Sequence, residues 1–257
     1  MPNRTLTLKN TFPIAIIAHR GNRKGFPENT LLAFQKAIDA KADYIELDVH
    51  KTADNIVVVT HDYTSGRVAN QDLVIRDSNL AALKELDFGQ GEKIPTLQEV
   101  FELCKGKIGV NVEIKQEGLA KSINELIVKN QMEEEVIISS FIHDEIATFK
   151  SINPSVCCAT LEPSGGNILS IFLVTFMKDK FLKNAQKVNA DAINPIHFHT
   201  TRKFCDKAHQ LHLLVNPWTA DKPKRWEKLI KAGADSIITN DPEGLYQFLT
   251  TYYSSSH

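Results

Sequence analysis

The chain has 257 residues, 42% of them hydrophobic and 24% charged, and thirty Lys and Arg stand against thirty-one Asp and Glu for a formal net charge of −1. This is the composition of a soluble globular protein with an ordinary core, and it excludes both a nucleic-acid binder working through bulk positive field and a chain dominated by disorder. The length suits one domain of the barrel or doubly wound kind, or two small ones.

Residues 1–12 carry no apolar core of signal-peptide length. The cysteines, Cys104, Cys157, Cys158 and Cys205, show no C-x-x-C spacing, so thiols in a reducing cytoplasm are the expectation. From there short β-branched runs alternate with amphipathic stretches. Strands are predicted at 14–18, 44–49, 109–114, 136–140, 156–161, 192–194, 212–215 and 236–239, and helices at 31–42, 117–131, 144–152, 201–210, 223–232 and 242–250. Leu31, Leu32, Phe34, Ala37 and Ile38 make one apolar stripe at helical spacing, with Asn29 or Thr30 placed to cap it. Eight strand-then-helix units predict an α/β fold, a (β/α)8 TIM barrel, with a doubly wound sheet as the alternative because strand order is not written in sequence.

One gap is too long for a single helix. Residues 56–60 read as a strand pairing with its neighbour, residues 63–95 as a small insertion after the second strand, and 96–104 as the helix that resumes the alternation. No linker separates a second domain, so residues 1–257 are expected to form one. The longest apolar run, 168–177, is too short to cross a bilayer, and a buried helix is the commoner use of such a run. Phe172, Phe176 and Phe181 could alternatively cover a site.

Buried parallel strands are usually continuous apolar runs, and two of these are not. Side chains alternate along a strand, so Ile45, Leu47 and Val49 share one face and Glu46 and Asp48 the other. Val110, Val112 and Ile114 oppose Asn111, Glu113 and Lys115 in the same way. Carboxylates facing a barrel interior cost several kcal/mol unless they are paired, protonated or bound to a cation. Ordinary salt bridging to Lys or Arg is one solution. A divalent cation is the other, and all-oxygen ligands favour Mg2+, Ca2+ or Mn2+ over zinc. His19 and His61 fall at the C-terminal ends of strands, where barrel enzymes carry their sites and where two imidazoles can remove one proton and deliver another. Arg20 adds a planar fork suited to phosphate or carboxylate.

The motifs His19-Arg20-Gly21, Pro27-Glu28-Asn29-Thr30, Glu46-Leu47-Asp48, His61-Asp62, Asn111-Val112-Glu113-Ile114-Lys115, Trp218-Thr219 and Thr239-Asn240-Asp241-Pro242 follow one another in order. With them the chain resembles the glycerophosphodiester phosphodiesterase family from residue 16 to about residue 243. The resemblance implies a TIM barrel with a small insertion after the second strand. It implies His19 and His61 as general acid and base, and Glu46, Asp48 and Glu113 as ligands of one divalent cation, Mg2+ or Ca2+ with Mn2+ as a further candidate. It implies Arg20 and Lys115 near the phosphate, Glu28 at a motif position close to the site and Trp218 near the glycerol; Glu162, just past the fifth strand, is a further pocket candidate. The implied reaction is hydrolysis of small glycerophosphodiesters such as glycerophosphocholine to glycerol 3-phosphate and an alcohol, by attack of the substrate's own 2-hydroxyl or of water. A lysophospholipase D-like or glycerophosphoinositol-directed enzyme, or a non-catalytic binding barrel, are the alternatives. The expected partner is the small-molecule substrate, with no nucleic acid and no stable membrane insertion; oligomeric state is left open. Residues 216–220, Asn-Pro-Trp-Thr-Ala, depart from the family's commoner W-T-V-N. His197-Phe198-His199 has zinc-like H-x-H spacing but sits in a loop after Pro195 and is set aside as a loop pair.

Overall fold

The alternation of strand and helix closes a parallel barrel. The structure, a computed structural model, describes residues 6, 11–164 and 178–254. Eight strands run parallel: β1 (Ala15–His19), β2 (Tyr44–Lys51), β4 (Gly109–Ile114), β5 (Val136–Ser140), β6 (Cys157–Glu162), β7 (Ala192–Pro195), β8 (Leu214–Val215) and β9 (Ser236–Thr239). Their order is β8-β7-β6-β5-β4-β2-β1-β9, and short β3 (Val57–Val59) pairs antiparallel with β2. Backbone bonds from Asp235 N to Val215 O, Ile238 N to Pro217 O and Ala220 N to Ile238 O, each 3.0 Å, draw the first and last members of that order together. The barrel reading therefore holds over the doubly wound one.

The apolar parity of the strands makes the core. Ile45, Leu47 and Val49 join Val110, Val112 and Ile114 in a buried layer beneath the helices. Helix α1 (Leu31–Asp39) is capped by Thr30, whose Oγ1 accepts from Ala33 N at 3.2 Å. It stops short of the predicted residue 42 because Lys41 turns at φ 59°. Helix α2 (Leu80–Glu85) lies within residues 63–95, where Ile75, Leu83, Leu86, Phe88 and Ile94 form a small apolar cluster on Val58. Helix α3 (Leu97–Cys104) carries a full capping box between Thr96 and Glu99.

Helix α4 (Ala120–Asn130) begins three residues later than predicted. The Glu145 carboxylate from helix α5 (His143–Ile152) accepts from the amides of Gly118, Leu119 and Ala120, so a partner distant in sequence decides where the helix starts. Strand β8 is shorter than the predicted 212–215 because His212 takes φ 60°. Helices α6 (Lys178–Lys187), α7 (Arg202–Gln210), α8 (Pro223–Ala232) and α9 (Pro242–Ser254) complete the described alternation. The apolar run 168–177, with Phe172 and Phe176, lies outside the described residues. Phe181 is described, and it packs in the core against Leu182, Ala185 and Ile193 instead of covering the mouth. Among the described residues no helix is long and apolar enough to cross a membrane. All four cysteines are thiols.

Candidate active site

The inward parity of β2 and β4 meets at the C-terminal mouth. Parallel register sets Glu46 beside Asn111 and Asp48 beside Glu113, while β1 sets His19 beside Glu46. Ligand oxygens of Glu46, Asp48 and Glu113 lie within 4.8 Å of one another, all buried. Beyond β1 the chain turns through Arg20 at φ 55° and Gly21 at φ 82°. A Cβ on Gly21 would come within 2.8 Å of the Ala33 backbone, so only glycine lets this turn pack on α1. The turn brings the Arg20 amide to 2.9 Å from Glu46 Oε2 and its guanidinium Nε to 3.1 Å from Asp48 Oδ2. Asn29, the alternative candidate for capping α1, instead donates to Asp48 Oδ2 at 3.0 Å.

Two cations serve these three acids. Arg20 is one, and Lys115 is the other, with Nζ 2.7 Å from Glu113 and 3.6 Å from Asp48. Internal salt bridging is therefore present and incomplete. Burial, then repulsion from Asp48 and Glu113, drives the Glu46 carboxyl well above the usual carboxylate range. Burial and the Asp48 charge push Glu113 up to about 7. Burial would raise Asp48 too, but Arg20 and Lys115 outweigh it and hold it low. Asp48 Oδ1, the oxygen that Lys115 Nζ approaches to 3.6 Å, is buried with no hydrogen-bond partner among the described residues. A buried oxygen left without a hydrogen bond, among three carboxyl groups that offer only oxygen, fits a hard divalent cation.

The two histidines flank this cluster. His19 Nε2 stands 3.9 Å from Glu46 Oε2, and burial followed by the Arg20 charge lowers its pKa to about 4. His61 follows β3; its Nδ1 meets Asp62 Oδ1 at 2.6 Å and His50 Nε2 donates to its carbonyl at 3.1 Å. Burial is the largest influence on His61 and lowers its pKa as well. Glu28 lies outside the cavity lining and gathers three arginines: Arg20 at 2.9 Å, Arg23 at 2.6 Å and Arg67 at 2.7 Å. Arg67 also pairs with Asp62, which ties residues 63–95 to the His61 side of the mouth.

A cavity of about 200 Å3 opens between these groups, lined by His19, Arg20, Glu46, His61, Glu113 and Lys115 among others. Trp218 forms part of the opposite wall, its Nε1 donating to Asn194 O at 2.8 Å and its ring meeting Phe141 edge-on at 5.6 Å. Glu162 is not among the lining residues; Ser164 and Asn184 hold its buried carboxylate, with His143 Nε2 at 3.7 Å. Phe141, Ser139 and Asn194 do line the cavity, and sequence reasoning did not single them out. Ser139 and Asn194 interrupt apolar strands, which was an available signal; nothing local marks Phe141. His197 and His199 sit in a single 3-10 turn after β7, and no zinc-binding group forms around them among the described residues.

Acids and imidazoles converging at the C-terminal mouth of a parallel barrel define an enzyme of the TIM-barrel class. The model of the glycerophosphoryl diester phosphodiesterase family matches residues 19–244. A glycerophosphodiester phosphodiesterase of Caldanaerobacter subterraneus subsp. tengcongensis is 36% identical over 249 residues, covering 90% of this chain and 95% of that one. The crystal structure of the Thermotoga maritima glycerophosphodiester phosphodiesterase superposes with TM-score 0.76 at 27% identity, over 93% of this chain and 99% of that chain. The enzyme of that name from Parabacteroides distasonis shares the fold, with TM-score 0.80 at 24% identity over 94% and 98% of the two chains. The chain belongs to the glycerophosphodiester phosphodiesterase family, and as such it is a phosphoric diester hydrolase acting on glycerophosphodiesters.

Proposed function

We propose that the chain hydrolyses small, deacylated glycerophosphodiesters such as glycerophosphocholine or glycerophosphoethanolamine to glycerol 3-phosphate and an alcohol, with His19 and His61 as the acid–base pair. The observation that carries this reading is the meeting of Glu46, Asp48 and Glu113 within 4.8 Å beside a cavity lined by both histidines. The three acids would hold one divalent cation, Mg2+ or Ca2+ before Mn2+. When bound, the ion supplies the positive charge that offsets a phosphodiester's own repulsion of nucleophiles.

The chain's own groups do the rest. Arg20 and Lys115 face the cavity and bind non-bridging oxygens. One imidazole removes the proton of the attacking hydroxyl and the other protonates the departing alkoxide. Trp218 and Phe141 offer an apolar wall to the carbon face of glycerol. Action in the cytoplasm is part of the same proposal, supported by four cysteines kept as thiols.

The test is choline release from glycerophosphocholine by the wild type, His19→Ala and His61→Ala. Each loss should cost roughly a hundredfold to ten-thousandfold in kcat, and a variant near wild-type rate removes that histidine from the chemistry.

A further inference from the structure

The mouth holds its two histidines by different partners. His61 leans on the neighbouring Asp62 carboxylate. His19 leans on a residue 221 positions away, its Nδ1 meeting Asn240 Oδ1 at 2.7 Å. An amide is ambiguous as a partner, since it offers an acceptor on one side and a donor on the other. Here its surroundings remove the ambiguity. Asn240 Nδ2 lies 2.7 Å from Asp221 Oδ2, a carboxylate that only accepts, and Arg23 Nη1, which only donates, lies 3.1 Å from Asn240 Oδ1. Turning the amide over would set oxygen against carboxylate and NH2 against guanidinium. Asp221 is itself fixed by Thr239 Oγ1 at 3.0 Å and the Asn240 backbone N–H at 2.8 Å. The oxygen of Asn240 must face His19, and an oxygen there requires a proton on Nδ1.

We propose that Asn240, locked by Asp221, is a positioning residue that keeps a proton on His19 Nδ1 and leaves Nε2 as the nitrogen that exchanges a proton with the substrate. The inference rests on the acid–base role given to His19 above and adds which nitrogen exchanges the proton and what decides it. Neither Asn240 nor Asp221 lines the cavity, so both act through His19.

Histidine-selective 15N and 13C NMR of the Mg2+-loaded enzyme at neutral pH reads the tautomer directly, with the His19 signals identified by their loss in His19→Ala. The wild type should show Nδ1–H, and an unprotonated Nδ1 overturns the inference whatever the variants do. Asn240→Ala should admit the other tautomer and lower kcat roughly ten- to hundredfold, the usual scale for a group that orients a reacting side chain, with KM nearly unchanged. The exchanged pair Asn240→Asp with Asp221→Asn keeps an acceptor toward His19 and a donor between the two positions, so it should restore both the tautomer and most of kcat. An Asn240→Ala enzyme with wild-type tautomer and kcat, or an exchanged pair no better than Asn240→Asp alone, overturns the inference. Should Asn240→Ala fail to fold, the wild-type spectrum and the exchanged pair decide. Full activity in His19→Ala defeats the proposed function, whereas an inactive His19→Ala with a wild type unprotonated at Nδ1 defeats only this inference.

Discussion

Removing one charge from the acidic cluster should stabilise the protein while disabling it. Glu113 is buried at the mouth, and burial with the Asp48 charge raises its pKa from 4.5 to about 7. At about 1.4 kcal/mol for each tenfold change in proton affinity, that displacement amounts to about 3 kcal/mol. A like charge at the cluster's 4.8 Å limit gives a similar figure, about 3 kcal/mol at an effective dielectric near 20. The sign follows from proton counting. Between pH 4.5 and 7 the folded carboxyl keeps a proton that the unfolded one has lost, so stability falls as pH rises. The penalty is absent below the unfolded pKa and complete above about 7. Glu113→Gln keeps an oxygen for Lys115 Nζ, now 2.7 Å from Oε1, and removes the charge. In chelator at pH 9 the variant should be about 1–3 kcal/mol more stable than wild type, allowing for the attraction to Lys115 that is also lost. The difference should shrink toward zero near pH 5. Millimolar Mg2+ or Ca2+ should reverse the order, because binding to the native state stabilises only the protein that retains its ligands. Urea denaturation at the two pH values, with and without cation, makes the comparison. A Glu113→Gln protein less stable than wild type in chelator at pH 9 would refute the reasoning, since repulsion among the acids would then not dominate the site.

Three further outcomes are expected. Glu28 is held below its ordinary pKa by Arg67, Arg20 and Arg23 against the opposing effect of burial; its contribution is present above the unfolded value and lost as pH falls through the lower folded one, so wild type and Glu28→Gln should differ in denaturation midpoint at pH 7 and converge in acid. Gly21→Ala should cost more than about 1–3 kcal/mol, the scale of left-handed strain alone, because its Cβ also meets Ala33 at 2.8 Å; its turnover should fall with the displaced Arg20, and a near-neutral melting temperature would contradict the contact. Glu145→Ala strips three amides at the start of α4 of their acceptor and should cost roughly 1–3 kcal/mol. Glu145 does not line the cavity, so kcat per folded molecule should be unchanged.

The alternation of residues 44–49 and 110–115 already declared two strands with acids on one face, because the two-residue period of a strand is a local property. The strand–helix rhythm declared the barrel class, and the ordered motifs declared the family. His19 was legible because it closes β1, whereas His61 lies two residues beyond β3, which runs antiparallel to β2. What no stretch of sequence could state is register and closure. Asp48 faces Glu113 because β2 and β4 pair in one particular alignment, and a slip of one residue would turn the acids into the helical layer. Asn240 reaches His19 only because the last strand of the barrel returns to lie beside the first. Phe141 joins Trp218 across the mouth for the same reason, and Glu145 sets the start of α4 from another helix. Periodicity is written in neighbouring residues, whereas these partners are chosen by the packing of the whole chain, which minimises exposed apolar surface and unpaired polar groups together.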